Sequence, residues 1–220
     1  MPENSRSAFA AAIEEGYGIE LDVRLTSDGV PVVLHDAQLA RATGQGGRVA
    51  DMRYEELARR RLRGSDERVP TLDDVLDLVA GRVPVMVEVK SLHPAPGRIA
   101  SSVARVLDDY TGPVCLASFN PRALGWFRRN RPAVPRVLIA GSLRGLPLPA
   151  VLRRRLSRLK DLALLQPAAV SYELDGLPSP VTDRWRQSGG ALVTWTVRDV
   201  PGLERARTVA DNVIFERVRP

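Results

Sequence analysis

The sequence predicts an α/β fold of barrel type: a curled parallel sheet wrapped by helices and short of one strand. Three observations predict it. Strand and helix patterns alternate in units of roughly thirty residues, the length of a strand–helix repeat. The strands are short and nearly continuously apolar, as in a sheet covered on both faces. Polar residues gather at C-terminal strand ends, at Asp22, Lys90, Ser118, Glu173, Thr196 and Glu216, where a barrel keeps its active site. A doubly wound open sheet is the competing arrangement, but no strand runs into a glycine-rich phosphate loop.

The elements follow in order. Residues 3–15 have helical spacing, with Asn4 or Ser5 as cap and Gly16 as stop. Strands are predicted at 18–23 and 31–35, joined across Thr26-Ser27-Asp28-Gly29, an Asp-Gly hairpin signal. Residues 36–50 read as a loop, with Gly44, Gly46 and Gly47 close together, either mobile surface or a flap over a site. Helices at 53–62 and 71–80 precede a strand at 83–90. Helix 97–109, strand 114–118, helix 121–130, strand 135–140, helix 149–163 and strand 168–173 come next. Helix 180–188, strand 191–197, helix 200–208 and strand 212–216 complete the chain. Setting the hairpin return aside leaves seven parallel strands, one fewer than the regular closed barrel. No linker or composition shift divides the chain, so residues 1–220 are expected to form a single domain.

The 220 residues are 44% hydrophobic and 26% charged, enough for a sizeable core. No apolar run reaches the roughly 20 residues of a membrane-spanning helix, and no signal-peptide pattern opens the chain. Cys115 is the only cysteine, so no internal disulfide forms and a reducing, cytoplasmic setting is expected. A formal net charge of +6 favours anionic ligands. The arginines are scattered and aromatics are only 5% of residues, which argues against nucleic acid as the partner. Only Lys90 and Lys160 are lysines among 32 basic residues. A lysine kept in such a chain marks a position where a compact ammonium fits better than a guanidinium, and Lys90 lies on an apolar strand beside Glu88.

Glu20-Leu21-Asp22-Val23 carries the strongest chemical signal. Residues i and i+2 of a strand share a face, so Glu20 and Asp22 project together from an apolar strand and repel each other. A divalent cation is the usual compensation. If Thr26 faces Pro31, antiparallel pairing sets Asp22 opposite His35, returning an imidazole to the carboxylates; a one-residue slip turns it away. Taken singly, Glu88 with Lys90 also reads as a strand ion pair, His35 as a structural partner of Asp36, and Phe119 and Trp195 as core.

Taken together, Pro2-Glu3-Asn4-Ser5, Glu20-Leu21-Asp22-Val23, Thr26 to Asp36, Glu88-Val89-Lys90, Ser118-Phe119 and Trp195-Thr196-Val197 resemble the glycerophosphodiester phosphodiesterase family. The block from 20 to 36 is the most specific part, and the ordered set spans nearly the whole chain. The resemblance implies a TIM barrel missing its first strand, with a β-hairpin inserted after the first strand present. It implies metal-dependent hydrolysis of a small anionic glycerophosphodiester to glycerol 3-phosphate and an alcohol. Glu20, Asp22 and Glu88 would ligate one Mg2+ or Ca2+. His35 would be one of two acid–base histidines, Lys90 would contact phosphate, and Phe119 and Trp195 would line the substrate pocket.

The chain departs from the family pattern at its start. The family's first strand ends in His-Arg-Gly just before the Pro-Glu-Asn stretch, whereas here Met1 adjoins Pro2. An unpaired buried-type strand edge is costly, so the expectation is that the natural start lies upstream. For the chain as it stands, impaired activity is expected. His93, in a His-Pro loop, is not taken as the second histidine, and Phe215-Glu216 replaces the family's Thr-Asp. Two alternatives stay open: a catalytically silent barrel that binds phosphate esters or a protein partner, and a phospholipase D-like lipid hydrolase.

Overall fold

The computed structural model describes residues 1–143 and 148–220. Eight strands form one sheet: β1 (Ile19–Leu25), β2 (Pro31–Val33), β3 (Val85–Val89), β4 (Val114–Ser118), β5 (Arg136–Ala140), β6 (Ala169–Glu173), β7 (Ala191–Val197) and β8 (Asn212–Phe215). Their order is β2-β1-β3-β4-β5-β6-β7-β8. All neighbours are parallel except the β1–β2 hairpin. This is the predicted seven-strand set plus a hairpin. No ladder joins β8 to β1 among the described residues, yet the sheet curls far enough to bring the end of β8 against the residues just before β1. Tyr17 and Phe215 stack edge to face with centroids 5.1 Å apart, and Arg219 reaches Glu15 at 2.8 Å.

Ten helices, counted among the described residues, accompany the strands: α1 (Arg6–Glu14), α2 (Ala40–Thr43), α3 (Tyr54–Leu57), α4 (Leu72–Val79), α5 (Gly97–Asp108), α6 (Pro121–Asn130), α7 (Ala150–Ser157), α8 (Leu162–Leu165), α9 (Pro180–Gln187) and α10 (Val200–Val209). Their caps are written in the sequence. Thr71 and Asp74 form a capping box on α4, and Ser5, Asn120, Ser179 and Asp199 accept from first-turn amides. No helix is long and apolar enough to cross a membrane among the described residues.

The core divides by strand parity. Leu21 and Val23 of β1 and Val85, Val87 and Val89 of β3 face outward and pack under α1, α4 and α5 with Phe9, Val75 and Val103. The intervening side chains face the concave interior, where Met86, Cys115, Ala117, Val137 and Ile139 cluster. Glu20, Asp22 and Glu88 therefore share the interior face with apolar neighbours.

Several boundaries differ from the sequence expectation, each for a local reason. The first helix starts at Arg6 because Ser5 caps it and Asn4 takes a left-handed conformation (φ 56°). The expected helix 53–62 stops at Leu57, and Arg61 instead bridges to Arg68. Helix 149–163 breaks into α7 and α8 where Leu159 adopts φ 49°. Residues 36–50 are no mobile loop: α2 and a 3-10 turn lie there, anchored by buried Leu39 and Val49. That segment, with Val32, Leu34 and Leu57, forms a small separate core over one end of the sheet.

The hairpin register is also one residue off the expected pairing. Leu25, not Thr26, pairs with Pro31, and Leu34 donates to the Asp22 carbonyl. Thr26 closes a tighter turn: its hydroxyl donates to Asp28 and accepts from the Val30 amide, while Gly29 sits at φ 88°. A three-residue loop with glycine in the left-handed region is a standard alternative to the longer turn.

Candidate active site

The β1–β3 register builds the centre of the site. Asp22 pairs with Glu88 on the adjacent strand, and Glu20 stands one side-chain repeat below Asp22. Carboxylate oxygens from Glu20, Asp22 and Glu88 all lie within 4.8 Å of one another. Lys90, only 13% exposed, reaches back so that its Nζ is 3.0 Å from Asp22 Oδ1 and 2.9 Å from Glu88 Oε1. The ammonium sits off the hydrogen-bonding direction of Glu88 Oε1, which is buried without a donor among the described residues. Asp22 is held from behind by Asn4, whose Nδ2 donates to Asp22 Oδ2 at 2.8 Å and whose Oδ1 accepts from the Asp22 amide.

Three acids face one ammonium, and their protonation reflects it. Burial, with the charges of Asp22 and Glu88, pushes Glu20 well above the usual carboxylate range. Burial also raises Glu88, against the pull of Lys90. Burial alone would lower Lys90, but Glu88 and Asp22 outweigh it and the ammonium is held charged. Of the three acids, Glu20 is the most reluctant to ionise. Cys115 lies within the same field, its thiol pushed up to about 11 by burial and by Glu20.

Does a divalent cation fit? Hard cations take oxygen ligands at about 2.3–2.6 Å for Ca2+ and 2.0–2.1 Å for Mg2+, so oxygens mutually within 4.8 Å can share one. The undonated Glu88 oxygen and the surplus of acids over Lys90 supply the unmet demand. The residues fit.

His35 lies beyond the end of β2, where strand alternation no longer applies. The shifted register therefore does not remove it: its imidazole remains within electrostatic reach of Glu88. Its Nδ1 is 2.7 Å from Asp36 Oδ1. Arg41 clamps the other Asp36 oxygen and reaches Glu3, which holds the Asp36 carboxyl down to about 2. Phe119 and Trp195 meet edge to face at 5.6 Å, and Lys90 Nζ is 5.9 Å from the Phe119 ring centre. All seven sequence-predicted site residues are thus brought to one end of the sheet. Other predicted strand-end residues serve local structure: Ser118 donates to the Val89 carbonyl, Glu173 accepts from Ser142 and the Leu143 amide, and Glu216 pairs with Arg198.

Sequence reasoning missed two supports. Of the two candidate caps, Ser5 takes the helix start, while Asn4 braces Asp22, and nothing in its spacing says so. Arg41 lay in the supposed loop. Its signal was only that an arginine five residues after Asp36 meets it once α2 forms.

A curled α/β sheet whose interior face carries an acid triad and a lysine defines a barrel-type fold with a carboxylate cluster that could hold a metal ion. The chain matches the model of the glycerophosphoryl diester phosphodiesterase family over residues 1–216 and belongs to that family. A glycerophosphodiester phosphodiesterase of Bacillus altitudinis is 36% identical over 145 residues, covering 60% of this chain and 59% of the relative. This chain thus aligns with about three fifths of the length of such curated relatives. A glycerophosphodiester phosphodiesterase structure from Parabacteroides distasonis is 26% identical with a TM-score of 0.78, covering 97% of this chain and 86% of that one. An Oleispira antarctica phosphodiesterase, solved with the product sn-glycerol-3-phosphate, shares the fold at 21% identity and a TM-score of 0.83, covering 97% and 87%.

Proposed function

We propose that the protein hydrolyses small glycerophosphodiesters to glycerol 3-phosphate and an alcohol, with one divalent cation, Mg2+ or Ca2+. The observation that carries this reading is the triad of Glu20, Asp22 and Glu88 with Lys90 bridging it, on the fold of a family whose relatives bear that activity in their names. Glu20, Asp22 and Glu88 would hold the cation, which when bound offsets negative charge developing on the phosphoryl oxygens.

The chain's own groups account for the rest. Lys90 neutralises a nonbridging phosphate oxygen from a site with little water, where a fixed charge acts strongly. In the reaction a new P–O bond forms to water while the P–O bond to the alcohol breaks. The attacking water gives up a proton and the departing alkoxide takes one. His35 serves one of these transfers, with Asp36 and Arg41 fixing its ring. Phe119 and Trp195 wall the substrate side next to Lys90.

Among the described residues His35 is the imidazole beside the triad. Removing one acid–base group costs about 10²–10⁴ in rate, so His35→Ala is expected to slow turnover by that order. The same cluster around Lys90 also suits a second reading, a barrel that binds phosphate esters without turning them over. Release of glycerol 3-phosphate from glycerophosphocholine, with and without EDTA and against His35→Ala, separates them. Metal-dependent release lost in the variant supports hydrolysis; no release above the variant's level overturns it.

A further inference from the structure

Next to Lys90 opens a cleft of about 350 Å³ that the hydrolytic chemistry leaves unused. It lies between the end of β1, the turn before α3 and the start of α5. Arg24, Arg48, Lys90 and Arg98 line it together with His93, and no carboxylate does. Lys90 is already committed to Asp22 and Glu88. The three arginines are not committed to any acid among the described residues. Arg24 donates through Nε to the His35 carbonyl at 2.7 Å, and Arg98 donates to the Ser27 carbonyl. Both contacts anchor a guanidinium through a neutral carbonyl rather than through a carboxylate.

An arginine-rich chain scatters such residues over its surface, so position decides. These three come from separate elements and converge on one concavity that ends at the phosphate-facing lysine. Arg24 follows Glu20 and Asp22 on the interior face of β1. Guanidinium groups that no carboxylate pairs at contact distance are free to form charge-assisted hydrogen bonds to an incoming anion. The volume lies in the range of small-ligand clefts, about 300–1,000 Å³. Leu25 and Val49 give it an apolar wall. A phosphodiester at Lys90 has two substituents. The aromatic pair Phe119–Trp195 borders one side of the lysine and this cleft borders another.

We propose that the cleft receives the alcohol half of the phosphodiester and selects alcohols bearing a further anionic group, a phosphate monoester or a carboxylate. The inference rests on the reading that Lys90 and the triad take the phosphodiester. It names the substrate class: esters with acidic head groups over those with cationic ones.

The test is direct binding in EDTA, where turnover plays no part, by calorimetry at 0.15 M salt. The probes are glycerophosphoinositol 4-phosphate, glycerophosphoserine, uncharged-headed glycerophosphoinositol and cationic glycerophosphocholine. The phosphate and carboxylate arms distinguish the two anion types. At least one acidic ester is expected to bind roughly tenfold tighter than glycerophosphocholine, the scale of one charge-assisted hydrogen bond. The exposed pair Arg48→Gln with Arg98→Gln is expected to remove most of that preference, with circular dichroism confirming the fold. Equal affinities, a preference for the choline ester, a preference untouched by the double variant, or no binding of any ester would each overturn the proposal. Hydrolysis of glycerophosphocholine is scored separately: its absence would end the enzymatic reading while leaving the measured preference to stand or fall by itself.

Discussion

Replacing Lys90 by methionine removes the one ammonium facing three acids while keeping the side chain's bulk. At 3.0 and 2.9 Å, each attraction is worth about 5–6 kcal/mol gross at an effective dielectric near 20. Withdrawing the ions from water offsets much of that, and truncating one partner of such a buried set typically costs about 3–5 kcal/mol. Glu88 and Glu20, both already shifted toward the protonated form, can take up protons and hold the loss to the lower end, about 3 kcal/mol. For a chain of this size 1 kcal/mol moves Tm by about 2–4 °C, so Lys90→Met is expected to melt roughly 6–12 °C below the wild type in EDTA. Millimolar Mg2+ or Ca2+ should then restore more of the melting temperature in the variant than it adds to the wild type, because a cation replaces the lost charge. Calorimetric or fluorescence melts with and without metal read both effects. An unchanged Tm in EDTA, or equal metal shifts in the two proteins, would refute the claim that the acids need a shared positive partner.

Other perturbations address single links. Glu20→Gln removes the acid most reluctant to ionise. A carboxyl whose folded pKa is raised destabilises as pH climbs above its ordinary range, so the metal-free variant should out-melt the wild type at pH 8 and match it near pH 4; no pH dependence would contradict the burial argument. Asn4→Ala strips two hydrogen bonds from Asp22 and should cost about 1–3 kcal/mol, read by urea unfolding, with weaker metal binding by calorimetry. Asp36 is held down to about 2, so the stability it contributes is full above about pH 3.8 and is lost as pH falls toward 2. The melting deficit of Asp36→Asn should therefore shrink across that window. A deficit constant from pH 6 to 2 would show that Asp36 acts through something other than its charge. Cys115, with its thiol at about 11, should react with thiol reagents far more slowly at pH 8 than the unfolded chain does.

Much of the site was legible because it is local or periodic. Glu20 and Asp22 share a face by strand alternation, and Glu88 and Lys90 do likewise. The caps Thr71, Asn120 and Ser179 announce helix starts through chemistry confined to three residues. The misreadings have a common cause. Ser5 rather than Asn4 caps the first helix, and Asn4 bonds Asp22, eighteen residues on. Helix 149–163 broke at Leu159, where a buried Asp161 meets Arg155. The 36–50 segment gained order from Leu39 and Val49, whose burial depends on residues outside it. The hairpin register was not legible because residues 31–34 are apolar at every position, so either face can be buried and the Thr26 turn contacts accompany the pairing seen.

By itself the sequence determined the strand–helix rhythm, the inward parity of the acids and the scarcity that singled out Lys90, since each depends on near neighbours along the chain. Only the tertiary structure decided that Asp22 pairs with Glu88 across two strands, that one ammonium bridges them, and that Arg24, Arg48 and Arg98 converge on the same mouth. Those are contacts between residues far apart in sequence, set by sheet curl and register, and no periodicity encodes the distance between two side chains on separate elements.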